Sequence, residues 1–92
     1  MRRVTREAEE LGDLLKALAH PARLKILAGL LEDECNVAGI QKRLGMPQST
    51  ISQHLRTLKD RGIIRARQEG RQRCYRVVDR RVREIMRVLA EN

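Results

Sequence analysis

Apolar residues recur every three or four positions along most of this chain, but between Gly62 and Asp79 the interval drops to two. That switch constrains the fold more than any other feature. A helical period describes a cylinder with one buried stripe, and a period of two describes a strand with one buried face. A lone strand has no partner for its backbone, and the turn Glu69-Gly70-Arg71 divides the stretch in two. Positions 63–68 and 72–78 therefore read as a hairpin, with Gly70 supplying the positive φ of the turn.

Helices surround this hairpin. Leu11, Leu14, Leu15 and Leu18 predict a first helix over about 5–19, with Glu7, Glu9 and Glu10 in its opening turns. His20-Pro21 ends it, because the residue before proline is pushed out of the α region. Proline then opens a second helix to about 31, striped by Leu24, Leu27, Ala28 and Leu31 and widened by Ile26 and Leu30. After a polar turn, 35–37 reads as a short extended piece and 38–44 as a third helix, with Ile40 and Leu44 inward and Gly45 as its stop. A fourth helix over about 48–61 buries Ile51, Leu55 and Leu58. The last, about 79–90, has Asp79 as N-cap and Val82, Ile85, Met86 and Leu89 on one face. The expected class is mainly α with a small β-hairpin, in the order α-α-(short β)-α-α-β-β-α. Ninety-two residues without linker or repeat fit a single domain, 1–92.

Charge assigns a job to one half of this arrangement. Residues 1–40 hold six basic and seven acidic groups, whereas 41–92 hold fourteen and five. A basic half joined to a near-neutral one points to a polyanion as partner. Tyr75 is the only aromatic residue, which disfavours modules that stack single-stranded bases. No apolar run is long enough to cross a membrane and none opens the chain as a signal peptide does, so no membrane partner and a cytoplasmic location are expected. No Gly-rich phosphate loop, nucleophile–base pair or carboxylate pair marks an enzyme.

Two short helices joined by a glycine turn hold the second at a fixed angle with its outer face free, and such a face fits the major groove of duplex DNA. On that face Gln53 can pair with adenine, and Arg56 can reach guanine or phosphate. Gln48, Ser49, Thr50, Ser52 and His54 complete the expected contacts, with Arg65, Arg67, Arg71 and Arg73 on the wing against the backbone or an adjacent minor groove. A non-specific architectural binder is the weaker alternative, since charge alone would have put Lys and Arg on the helix face.

Three stretches carry a family likeness. Leu18-Ala-His-Pro-Ala-Arg-Leu-Lys-Ile-Leu27 resembles the opening signature of the ArsR/SmtB family of bacterial repressors. Met46-Pro-Gln-Ser-Thr-Ile-Ser-Gln-His-Leu-Arg-Thr-Leu-Lys-Asp-Arg-Gly-Ile-Ile64 resembles its recognition helix, and Gly70-Arg-Gln-Arg-Cys-Tyr-Arg-Val77 its wing. The resemblance implies a homodimeric winged helix-turn-helix repressor that leaves a double-stranded operator when an inducer arrives. Pairing the first and last helices across a two-fold axis would bury their spare apolar stripes and set two reading helices about 34 Å apart.

The resemblance does not supply a sensor. One metal site of the family uses Cys-x-Cys entering the third helix, where this chain has Asn36 and Ala38; another uses Asp and His on the last helix, which here carries no histidine. Neither a metal site nor a cofactor is expected, and the inducer is unassigned. Cys35 and Cys74 remain. A strand before the third helix that paired with the returning wing strand would bring them together, and Arg73 and Arg76 would favour the thiolate. Side-chain alternation cuts the other way, for if Val37 and Val77 face the core, Cys35 does too and Cys74 does not. The pair is thus open to a redox or reactive-sulfur switch, to metal or metalloid capture as in a metal-responsive repressor, or to an inert packing role.

Overall fold

The computed structural model describes residues 2–91, with α1 (Arg2–Leu18), α2 (Pro21–Glu32), α3 (Val37–Leu44), α4 (Gln48–Asp60), β1 (Ile64–Glu69), β2 (Gln72–Val77) and α5 (Arg80–Ala90). The order is the expected one apart from the short strand. α1 begins earlier than the leucine spacing predicts, so Glu7, Glu9 and Glu10 lie beyond its first turn and not within it. At the α1–α2 junction His20 is extended, and its Nδ1 accepts from the Ala22 N–H at 3.2 Å, capping α2. Pro21 occupies the first turn, where its missing N–H costs nothing.

α2 is the centre of the molecule and packs on α1, α3 and β2. Its wholly buried residues are Ile26, Leu27 and Leu30, while Ala28 is exposed and Leu31 is 38% exposed. The expected stripe of Leu24, Leu27, Ala28 and Leu31 is therefore rotated. A helix apolar on most sides has no stripe of its own, and the neighbours decide which side is covered. Gly29 is part of that decision: a Cβ there would lie 2.7 Å from Cγ1 of Ile40, so its absence lets α3 approach.

The expected extended piece at 35–37 is not a strand. Asn36 is the N-cap of α3, its Oδ1 accepting from Gly39 N–H at 3.2 Å, and Val37 is already helical. The capping preference of Asn overrides the β-propensity of Val in so short a run. One strand-like bond survives, from Tyr75 N–H to the carbonyl of Glu34 at 2.8 Å. Gly45, at φ +63°, closes α3 as expected.

The hairpin pairs Ile64 with Val77 and continues without a bulge to Glu69 opposite Gln72. Gly70 takes φ +60° at the first of the two loop positions, which glycine adopts at no steric cost. Ile63, Ile64 and Val77 anchor the hairpin in a core with Leu14, Leu18, Ile40, Ile51, Leu55, Leu58, Val82 and Met86. Asp79 caps α5, its Oδ1 accepting from the N–H groups of Arg81 and Val82. Among the described residues no polar or charged residue is buried, so the charge lies on the surface. No helix among them is long and apolar enough to cross a membrane.

Candidate nucleic-acid interface

α4 buries Ile51, Leu55 and Leu58 and turns its other side outward. Gln48, Ser49, Ser52, Gln53 and Arg56 are exposed and Thr50 is half-buried. Among the described residues none of these six side chains makes a hydrogen bond or ion pair within the chain. The N-cap, Pro47, offers no side-chain acceptor; the Thr50 N–H bonds to the Pro47 carbonyl, and the N–H groups of Gln48 and Ser49 have no partner among the described residues. Thr57, by contrast, donates its hydroxyl to the Gln53 carbonyl.

His54 departs from the expected exposed face. It is half-buried, 4.7 Å edge-on from the His20 ring, and its Nδ1 accepts from Arg23 Nε at 3.3 Å. Arg23 also donates to the carbonyl of Ala17 at 3.2 Å. Burial first, then His20 and Arg23, hold the His54 imidazole below its ordinary range. This junction locks the angle of α4 against the ends of α1 and α2. The His-Pro pair marked the junction in the sequence, but nothing local marked its contact with His54.

On the wing Arg65, Arg71 and Arg73 are exposed and unpaired among the described residues. Arg65 stands directly opposite Arg76, a like-charge pair that destabilises a hairpin left without a counter-charge. Arg56, Lys59 and Arg73 line one groove of about 320 Å³ between α4 and β2, so helix and wing present continuous positive charge. Arg67 is different, for it donates to Glu34 at 2.6 Å and to Glu69 at 2.9 Å. Those two carboxylates, Glu69 first, hold its guanidinium above its ordinary range.

Arg67 lies across the ladder from Cys74, and Cys74 is bonded to Cys35 with their Cα atoms 4.1 Å apart. The disulfide ties the turn between α2 and α3 to the wing across 39 residues. Strand alternation does put Cys74 opposite in face to Val77, yet both are buried. The conflict read from alternation disappears because Cys35 belongs to a turn, where alternation has no force. The second carboxylate oxygen of Glu69 lies 3.9 Å from the Cys35 sulfur and 4.0 Å from that of Cys74. Among the described residues Cys35, Glu69 and Cys74 bring three ligand atoms within 4.8 Å of one another. The roles of Glu34, Glu69 and Arg67 escaped sequence reasoning, which weighed thiols and imidazoles as ligands and Arg73 and Arg76 as the cations. The one available signal was that the wing turn is the sole place where an acid sits among its arginines.

Comparison with known proteins gives a consistent result. The model of the bacterial regulatory protein family arsR matches residues 20–66. A biofilm growth-associated repressor of Xylella fastidiosa is 33% identical over 84 residues, which span 91% of this chain and 74% of that one. An uncharacterised helix-turn-helix transcriptional regulator of Methanocaldococcus jannaschii is 43% identical, over 90% and 94%. The structure of reduced HlyU from Vibrio cholerae superposes with a TM-score of 0.89 at 31% identity, covering 99% of this chain and 96% of that one.

Proposed function

Because this chain belongs to the arsR family of bacterial regulatory proteins, DNA-binding regulators rather than enzymes, we propose that it is a sequence-specific repressor acting as a homodimer on a two-fold operator in the cytoplasm. The observation that carries this reading is the α4 face: six polar side chains unspent among the described residues, bordered by a wing whose Arg65 and Arg76 face each other with no counter-charge among those residues. Gln53 and Arg56 read base edges, Gln48, Ser49, Thr50 and Ser52 hold phosphates and register, and Arg65, Arg71 and Arg73 hold the flanking backbone. His54 acts from behind, setting the angle of α4. Arg67 serves the thiol site.

Cys35 and Cys74 form the trigger. In the dithiol state the links left between the wing and the α2–α3 turn, among the described residues, are the Tyr75–Glu34 hydrogen bond and the Arg67–Glu34 ion pair. A peroxide takes two electrons from the pair: two S–H bonds break, one S–S bond forms, and the peroxide leaves as alcohol or water and water. The wing is then fixed in one pose, and the half-sites lose their fit to a relaxed operator.

A duplex selected from a random pool tests both parts. Log affinity of the reduced protein is expected to fall linearly with log salt, and the selected duplex to be favoured at least a hundredfold over random duplex. Equal affinity for both duplexes overturns the repressor reading in favour of an architectural binder. Peroxide treatment is expected to weaken operator binding at least tenfold. Unchanged binding with the disulfide closed overturns the trigger.

A further inference from the structure

We propose that in its reduced state the chain binds one thiophilic divalent cation, such as Zn²⁺ or Cd²⁺, between Cys35, Cys74 and Glu69, and that this cation and the disulfide exclude one another. The inference shares with the proposed function the premise that the cysteine pair can be reduced. Three ligand atoms already converge within 4.8 Å, from a turn and from both strands of the wing.

The surroundings are built for the third ligand. One oxygen of Glu69 accepts from Arg67 Nε at 2.9 Å, which fixes the carboxylate plane and aims the other oxygen at both sulfurs. Glu34 holds Arg67 in turn at 2.6 Å. An outer partner that orients a ligating carboxylate is a regular feature of metal sites. Charge favours the same conclusion. Two thiolates with Glu69, Glu34 and Arg67 leave the cluster three charges negative, and a divalent cation reduces that to one. Two thiolates select a borderline or soft ion over Mg²⁺ or Ca²⁺.

The steps balance. A low-molecular-weight thiol reduces the disulfide by exchange, so one protein S–S bond becomes two S–H groups while two reagent thiols become a disulfide. The freed sulfurs then part to the roughly 3.8 Å that two Zn–S bonds of about 2.3 Å at a tetrahedral angle require. Binding releases both thiol protons, and solvent takes the fourth position through the exposed side of Glu69. Because the sulfur lone pairs that hold the cation are consumed when the S–S bond forms, bound metal shields the thiols from peroxide.

Anaerobic titration of the reduced full chain with Zn²⁺ against a chromophoric chelator, and with Cd²⁺ read by its thiolate charge-transfer absorbance, tests the site. One ion per chain is expected in the reduced protein and none in the oxidised protein or in Cys35→Ser. Glu69→Gln, on an exposed side chain, is expected to weaken binding at least tenfold while leaving peroxide-driven disulfide formation intact by mass spectrometry. Bound Zn²⁺ is expected to slow that oxidation at least tenfold. No stoichiometric binding, binding that survives oxidation, or unchanged affinity in Glu69→Gln overturns the proposal. Operator binding that is unchanged when the disulfide closes sinks the redox trigger instead, and leaves the metal titration standing.

Discussion

Gln53, a neutral amide, and Arg71, a charged guanidinium, have different tasks in the proposed complex. Gln53 sits on the outer face of α4, where in the proposed complex its amide would pair bidentately with adenine and so separate it from other bases. Gln53→Ala is expected to cost about 1–3 kcal/mol on the preferred duplex and little on random duplex, measured by paired titrations. Arg71 lies in the wing turn, so Arg71→Ala is expected to weaken all duplexes alike and lower the salt slope by about 1. His54 obeys a third logic. Its pKa lies below the ordinary 6.5 because burial and the facing groups, His20 and Arg23, oppose a second charge. The unfolded chain therefore takes up a proton before the folded one, and its stability contribution, complete above pH 6.5, declines as pH falls below that value. Melting temperature is expected to drop between pH 7.5 and 5.5 in the native chain, with a shallower drop in His54→Asn.

At the scale of elements, close approach of α2 and α3 matters most, because their turn delivers Cys35 to the wing. Gly29→Ala is expected to destabilise the fold by about 1–3 kcal/mol, read from chemical denaturation, since the new methyl meets the body of Ile40, itself 2% exposed. The disulfide works on the same pair of elements. Closing a loop of this length removes about 2–4 kcal/mol of unfolded-state freedom, so reduction is expected to lower the melting temperature by that equivalent. A reduced chain melting no lower than the oxidised one would contradict a covalent tie between turn and wing.

The whole molecule leaves apolar surface unspent. Leu15 on α1 and Leu89 on α5 are each 50% exposed, and Val88 48%. Leu24, Ala28 and Leu31 of α2 face Met86, Leu89 and Ala90 of α5 across a groove of about 730 Å³. In the proposed homodimer a second copy would cover this surface through α1 and α5, giving the two-fold arrangement that an inverted-repeat operator demands. Leu89→Glu is expected to shift sedimentation from dimer to monomer at micromolar concentration and weaken operator binding at least tenfold. A variant that stays dimeric would move the interface elsewhere.

Much of this molecule is written in local patterns. Hydrophobic period distinguishes helix from strand within a few residues, and glycine, proline and capping side chains act on their own neighbours. The helices, the hairpin, the caps at His20, Asn36, Gly45 and Asp79, and the polar face of α4 all follow from interactions that span a turn or two, although the run 35–37 by itself reads as a short extended piece. What tertiary structure alone decided depends on groups far apart in the chain. It rotated the buried side of α2, because a helix apolar all round is oriented only by what packs on it. It drew His54 inward to Arg23, and it paired Arg67 with two carboxylates, Glu34 and Glu69. It joined Cys35 to Cys74 and set Glu69 beside them, since a turn, unlike a strand, imposes no alternation. Sequence thus determined the polar face of α4, and the packing of remote elements determined the cluster of Cys35, Cys74 and Glu69.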